Sequence, residues 1–185
     1  ATNLASGVAK ATSNPAYEKY ILGLTLLGQQ RYEESLAVFR EALAMNPSME
    51  GAMGGIAQAY RAEGKKAQGI AFLREQVAAK PDNLPVRVML ADELYASDDA
   101  SGAEAALRDA IRVKPDSVLL YRRLATLLAR EKQASEAEKV LRDGLAAKPD
   151  ADSLRLQLAT LLDTSGKKAD RKSTRLNSSH TVISY

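Results

Sequence analysis

Pro47, Pro81, Pro115 and Pro149 stand 34 residues apart, and this interval constrains the fold more than any other feature of the chain. Three of them share one phrase: Lys80-Pro81-Asp82, Lys114-Pro115-Asp116 and Lys148-Pro149-Asp150. Two further series keep the same register. One runs Leu22-Gly23, Ile56-Ala57, Leu90-Ala91, Leu124-Ala125 and Leu158-Ala159. The other runs Phe39-Arg40-Glu41, Leu73-Arg74-Glu75, Leu107-Arg108-Asp109 and Leu141-Arg142-Asp143. A fixed period of this length marks a repeat architecture, in which each unit buries its apolar face only by stacking on its neighbours.

Within a unit the apolar period is helical. Residues 118–131 place Tyr121, Leu124, Ala125 and Leu128 on one face, and residues 134–147 place Ala137, Val140, Leu141 and Leu145 on another. The polar Lys132-Gln133 turn separates them. The following Pro ends the second helix, because it lacks an N–H and its ring clashes with the preceding turn. Ser117 is expected to cap the helix that begins at Val118. Pro85 falls in a first helical turn, where the missing donor costs little. Abundant Ala and Leu, sparse Pro and Gly, and only 5% aromatic residues agree with helix and against an all-β fold.

This pattern resembles the tetratricopeptide repeat (TPR) family: a bulky residue, Leu-Gly, Tyr, then small, aromatic and small residues, then Pro. The first unit matches it with Leu22-Gly23, Leu26, Ser35, Phe39, Ala42 and Pro47. The second matches with Met53, Ile56-Ala57, Tyr60, Gly69, Leu73 and Pro81. The third offers Leu90-Ala91, Leu94, Ala103, Leu107, Ala110 and Pro115, and the fourth Tyr121, Leu124-Ala125, Leu128, Ala137, Leu141, Gly144 and Pro149. Lys19 and Arg87 depart from it in the bulky slot, and Gln76 at a position that is usually small. The resemblance implies an all-α, right-handed superhelical solenoid of antiparallel helix hairpins. Four full repeats are expected at 16–49, 50–83, 84–117 and 118–151, followed by the first helix of a fifth at 152–169. The apolar face of that helix, Leu154, Leu158, Leu161 and Leu162, is expected to lie uncovered.

Both ends leave the register. Residues 1–13 are rich in Ala, Ser and Thr and are expected to be a linker or the remnant of a preceding helix. Residues 170–185 resemble one translated frame of a sequencing-library adaptor, and a non-native, disordered tail is expected there. With that tail go the single His, His180, and the formal glycosylation acceptor Asn177-Ser178-Ser179. The remainder carries 23 basic and 22 acidic residues, net +1 rather than +3. The basic balance that would favour nucleic acid goes with it.

Zero Cys and no His outside the tail remove thiol, nucleophile–His and zinc arrangements. Gly64-Lys65-Lys66 and Gly166-Lys167-Lys168 lack the remaining elements of a phosphate loop and are hairpin turns. Asp98-Asp99 is likewise a solvated turn, because nothing there desolvates one carboxylate against the other. The expectation is therefore no enzyme, no catalytic residue, no cofactor and no metal. No apolar run is long enough to span a membrane, and the compartment is left open between cytoplasm and periplasm.

Function then belongs to a surface, and the resemblance implies a concave wall lined by the first helix of each unit. Carried over residue by residue, the wall is Tyr17, Tyr20, Leu24 and Leu27; Gly54, Gln58 and Arg61; Val88, Asp92 and Tyr95; Arg122, Arg123, Thr126 and Arg130; and Gln157, Thr160 and Asp163. It is apolar and aromatic at the amino end and basic toward the fourth unit. Tyr and Arg are enriched at binding hot spots, so the expected partner is a protein or peptide with an apolar anchor and an acidic patch. Two plainer roles compete: Tyr17, Tyr20 and Leu24 as packing for a preceding repeat, and the arginines as solvated charges. Adjacent Gly54 and Gly55 would admit a ligand backbone or simply weaken their helix. Family members that clamp a terminal carboxylate use Lys and Asn where this chain has Tyr20 and Leu24, so that activity is not implied. A scaffold is the leading function. The alternatives are a segment of a bacterial envelope system for exopolysaccharide export or pilus assembly, which the Lys-Pro-Asp style resembles, and a non-catalytic part of a larger enzyme.

Overall fold

The computed structural model describes residues 14–164, so the expectations for 1–13, for 165–169 and for the tail lie outside the described residues. Among the described residues there are nine α-helices and no strand. They are α1 Pro15–Gly28, α2 Tyr32–Met45, α3 Glu50–Ala62, α4 Lys66–Ala79, α5 Leu84–Ala96, α6 Ala100–Val113, α7 Val118–Arg130, α8 Ala134–Ala147 and α9 Asp152–Thr164. The chain divides into two compact units between Glu93 and Leu94, inside α5. In the first unit α1 packs on α2, α2 on α3, α3 on α4, and α1 also meets α3. In the second, α6 packs on α7, α7 on α8, α8 on α9, and α7 also meets α9.

The hairpins close by one repeated device. Gln30, Gly64, Asp98 and Lys132, again 34 apart, hold φ of 62°, 85°, 64° and 61°. At each, the next residue's N–H reaches back to close the helix end: Arg31 to Leu26 O at 3.0 Å, Lys65 to Tyr60 O at 2.8 Å, Asp99 to Leu94 O at 3.0 Å and Gln133 to Leu128 O at 2.8 Å. This left-handed residue with a long-reaching N–H satisfies carbonyls that a helix end otherwise leaves open.

The proline loops repeat as well. Across Pro47, Pro81, Pro115 and Pro149 the N–H groups of Met49, Asn83, Ser117 and Ala151 bond the carbonyls three residues earlier at 3.1–3.2 Å. The fixed φ of proline suits the second position of such a turn. Asn14, Asn83 and Asp99 then cap α1, α5 and α6, accepting from the N–H of Tyr17, Val86 and Gly102. Ser117 differs from the expectation. It occupies the cap position but its side chain makes no cap bond. The N–H of Leu120, which that hydroxyl would serve, bonds instead to the Ser117 carbonyl at 3.1 Å.

In the bulky slot, the exception Arg87 has a structural reason. Arg87 Nε donates to Pro81 O at 2.6 Å and Tyr121 Oη to Pro115 O at 2.9 Å. An Arg155 guanidinium nitrogen does the same to Pro149 O. Side chains of different kinds thus hold the carbonyl of the preceding proline, and Arg87 is a functional substitute rather than a weakness. Burial, with Asp143 and Asp116 adding to it, raises the Tyr121 phenol pKa and keeps it a donor.

In the first unit the core gathers around Phe39, fully buried with Leu36, Ala42, Ala52, Ile56 and Ala59. Its ring lies against both Gly23 and Gly55, where an added methyl would overlap the ring atoms. Ser35, also buried, donates to Gly23 O at 2.8 Å, so its one polar atom is paired. In the second unit Leu120, Leu124, Leu128, Leu141, Leu154, Leu158 and Leu162 are buried to 1% exposure or less. That corrects the expectation of an uncovered α9. A first helix packs backward onto the preceding hairpin, so Leu154, Leu158 and Leu162 are spent on α7 and α8. Leu161 is only half-buried, and Leu156 is the exposed apolar residue of α9.

Candidate partner-binding face

On the first unit, Tyr17 and Leu24 are exposed, with Ile21 exposed between them at helical spacing. Tyr20 is half-buried instead. Its ring sits 5.9 Å from Tyr17 and 6.1 Å from Phe39, so it edges the core. Leu27 also packs on that core. The positions that bury Ala52, Ile56 and Ala59 of α3 are filled in α1 by Glu18, Leu22 and Thr25, all exposed. Gln58 and Asp92 are exposed, whereas Val88 is buried and takes no part in a surface. A methyl on Gly54 would meet Met89 Sδ at 3.6 Å and Cε at 3.8 Å, ordinary van der Waals contact that leaves room for it.

Arg61 is engaged by a residue that sequence reasoning passed over. Its Nη1 donates to Glu93 Oε1 at 2.8 Å, with the Glu93 side chain only 12% exposed. Burial pushes the Glu93 carboxyl above the usual glutamate range. Arg61 works against this shift, and Asp92 adds to it. The signal was available: Glu93 stands in the register of Ala59 and Leu127, both buried and apolar.

On the second unit, α7 presents Arg122, Arg123, Thr126 and Arg130, all exposed. The Arg130 guanidinium lies over the half-buried Tyr95 ring, 5.8 Å from its centroid. Gln157 of α9 ties the two helices together, donating from Nε2 to Thr126 Oγ1 at 3.0 Å and to Arg122 O at 3.2 Å. Beside this bridge is a cleft of about 400 Å³. Ala125, Thr126, Ala129 and Arg130 form one wall, and Leu141 of α8 lines it as well. Gln157, Thr160, Leu161 and Thr164 form the other wall. The cleft thus unites four of the expected wall residues: Thr126, Arg130, Gln157 and Thr160. Arg122 and Arg123 flank it in sequence without lining it.

The cleft has a simple origin. Ala129 stands one repeat after Tyr95, and Thr164 one repeat after Arg130. Where the earlier pair is a ring under a guanidinium, the later pair is small. A second hollow of the same unit, lined by Arg108, Arg112, Tyr121 and Asp143 among others, was not foreseen. Its arginines pair with Glu104 and Asp109 on their own helix. The exposed Arg-acid series is thus partly explained by pairing one turn back, as Arg142 with Glu138 at 2.8 Å also shows. Among the described residues no group of three or more His, Cys, Asp or Glu is arranged to hold a metal, and no helix is long and apolar enough to cross a membrane.

The model of the tetratricopeptide repeat matches residues 26–91 and 94–162. None of the curated proteins compared matches the sequence. Among solved structures, a thermophilic TPR protein of Thermus thermophilus is 24% identical, with a TM-score of 0.55 over 84% of this chain and 85% of that one. PilF of Pseudomonas aeruginosa is 20% identical, with a TM-score of 0.58 over 86% and 73%. MamA of Desulfovibrio magneticus is 11% identical, with a TM-score of 0.55 over 89% and 93%. At these identities the likeness is one of fold. The 34-residue register, the stacked hairpins and the family model that matches well over half of the chain agree: the chain belongs to the tetratricopeptide repeat family.

Proposed function

We propose that the second unit grips a segment of a partner protein on the face formed by α7 and α9, with acidic groups of the partner meeting Arg122, Arg123 and Arg130. A tetratricopeptide repeat array is, in general terms, a scaffold for protein–protein interaction, and the family is generally non-catalytic. The observation that carries the finer reading is the cleft between α7 and α9, lined by apolar and small polar side chains with Arg130 at its edge. Helix α7 bears three arginines and no acidic residue. Arginine can hold a carboxylate through two parallel bonds, so an acidic segment is the complement of this helix. On the first unit the exposed Tyr17, Ile21 and Leu24 offer apolar contact, while Arg61 is already engaged by Glu93.

The experiment selects short peptides from a random displayed library on the wild-type chain. Their affinities are then compared on the variant Arg122→Glu, Arg123→Glu, Arg130→Glu. The selected peptides should be acidic, and charge reversal should weaken them about tenfold or more, or ~1.4 kcal/mol, with the far-UV circular dichroism unchanged. Neutral or basic peptides, or an affinity that survives the reversal, would rule the reading out.

A further inference from the structure

The cleft between α7 and α9 has a template inside the same unit. One repeat earlier, at the register of Ala129, stands Tyr95, and its ring lies under the Arg130 guanidinium at 5.8 Å. Moving one repeat along replaces the ring by Ala129 and the guanidinium by Thr164, and a cleft of about 400 Å³ opens. Arg130 belongs to both places, covering Tyr95 and bordering the cleft. From these observations, and resting on the partner-binding face proposed above, we infer that the cleft takes one aromatic side chain of an acid-flanked partner segment.

Three physical points carry this. The volume is near the lower end of ligand pockets, roughly 300–1,000 Å³, which suits a single large side chain rather than an extended ligand. The lining is Ala, Leu and Thr with one amide and one arginine, which matches a side chain that is apolar in body and tolerates a polar tip. A guanidinium presents two faces, and an aromatic ring is attracted to either; Tyr95 covers one. No carboxylate lines the cleft. Asp163 is the acidic residue of the last turn of α9, while α7 carries only arginines among its charges, so acidic residues flanking the anchor would face α7.

The test uses the full chain and two probes: an acidic pentapeptide with a central tyrosine, and its counterpart with a central alanine. Binding is followed by calorimetry and by amide shifts in two-dimensional NMR. The tyrosine peptide should bind about tenfold or more tighter than the alanine peptide, with the shifts centred on Thr126, Ala129, Thr160 and Thr164. Ala129→Tyr, which restores the ring of the earlier register, should abolish the difference. The wild-type shift map keeps the test decisive should that variant fold poorly. Equal affinities, no binding of the tyrosine peptide, or shifts centred elsewhere overturn the inference. Equal binding that is lost on Arg122→Glu, Arg123→Glu, which leaves the cleft lining intact, refutes the anchor and leaves the acidic-partner face standing. Tyrosine-dependent binding that survives this double reversal does the opposite.

Discussion

Gly54 and Gly55 are neighbours in α3 with opposite surroundings, and the difference lies in one ring. Phe39 occupies the space where a methyl on Gly55 would sit, whereas a methyl on Gly54 would make ordinary contact with Met89. Gly55→Ala should therefore cost about 1–3 kcal/mol through overpacking. Gly54→Ala should stabilise the helix by about 0.5–1 kcal/mol. Urea denaturation of both variants checks this, and equal effects would remove Phe39 as the cause. Sequence alone offered both glycines either as room for a ligand backbone or as a weakness of the helix, because a helical period does not say which neighbour fills the gap. Glu93 gives a pH signature. Its folded-state pKa is raised above the unfolded value, chiefly by burial. The stability it contributes is complete below the unfolded pKa and is lost as pH rises through the folded one. Glu93→Gln should flatten that acid-side decline while keeping a neutral hydrogen bond available to Arg61. Denaturation profiles from about pH 4 to 8 measure it; a decline of undiminished slope in the variant would acquit Glu93.

Among the described residues each helix pair turns through a residue of positive φ, and of these four only Gly64 is glycine. For a residue with a Cβ this conformation costs roughly 1–2 kcal/mol, and glycine adopts it freely. Lys132→Gly should raise stability by about 0.5 kcal/mol or more, and Gly64→Ala should lower it by about 1 kcal/mol. Thermal melts read both; a null result at Lys132 would mean that the closing bond from Gln133 already sets the turn. Helices and their limits were legible in the sequence to within a residue or so, as α7 and α8 show against the expected 118–131 and 134–147. The reason is that prolines and turn residues mark each end in register. Caps were less legible. Ser117 has the right chemistry and no bond, since the backbone had already served the donor.

The array as a whole follows from columns of residues repeated at one interval, and what the columns share is what could be foreseen. The candidate face was legible as a set of positions, but its cleft was not. A hollow arises where one column changes size, Tyr95 to Ala129 and Arg130 to Thr164, and averaging over repeats hides such a change. Expectations for the ends rest on sequence alone. Deleting residues 170–185 should leave the melting temperature unchanged, and a clear fall would mean that this segment belongs to the native structure. The grip on the proline carbonyls has a consequence for how the molecule comes apart. Arg87, Tyr121 and Arg155 each clasp the loop before their helix, while the same column in α3 holds Met53, which has nothing to donate. Among the described residues, Asn46 and a long-range bond from Lys80 to Ser48 steady that loop with side chains. The array resembles a fastener with one tooth missing: of the four proline loops, the one around Pro47 is where amide exchange should run fastest and where a protease should first gain entry.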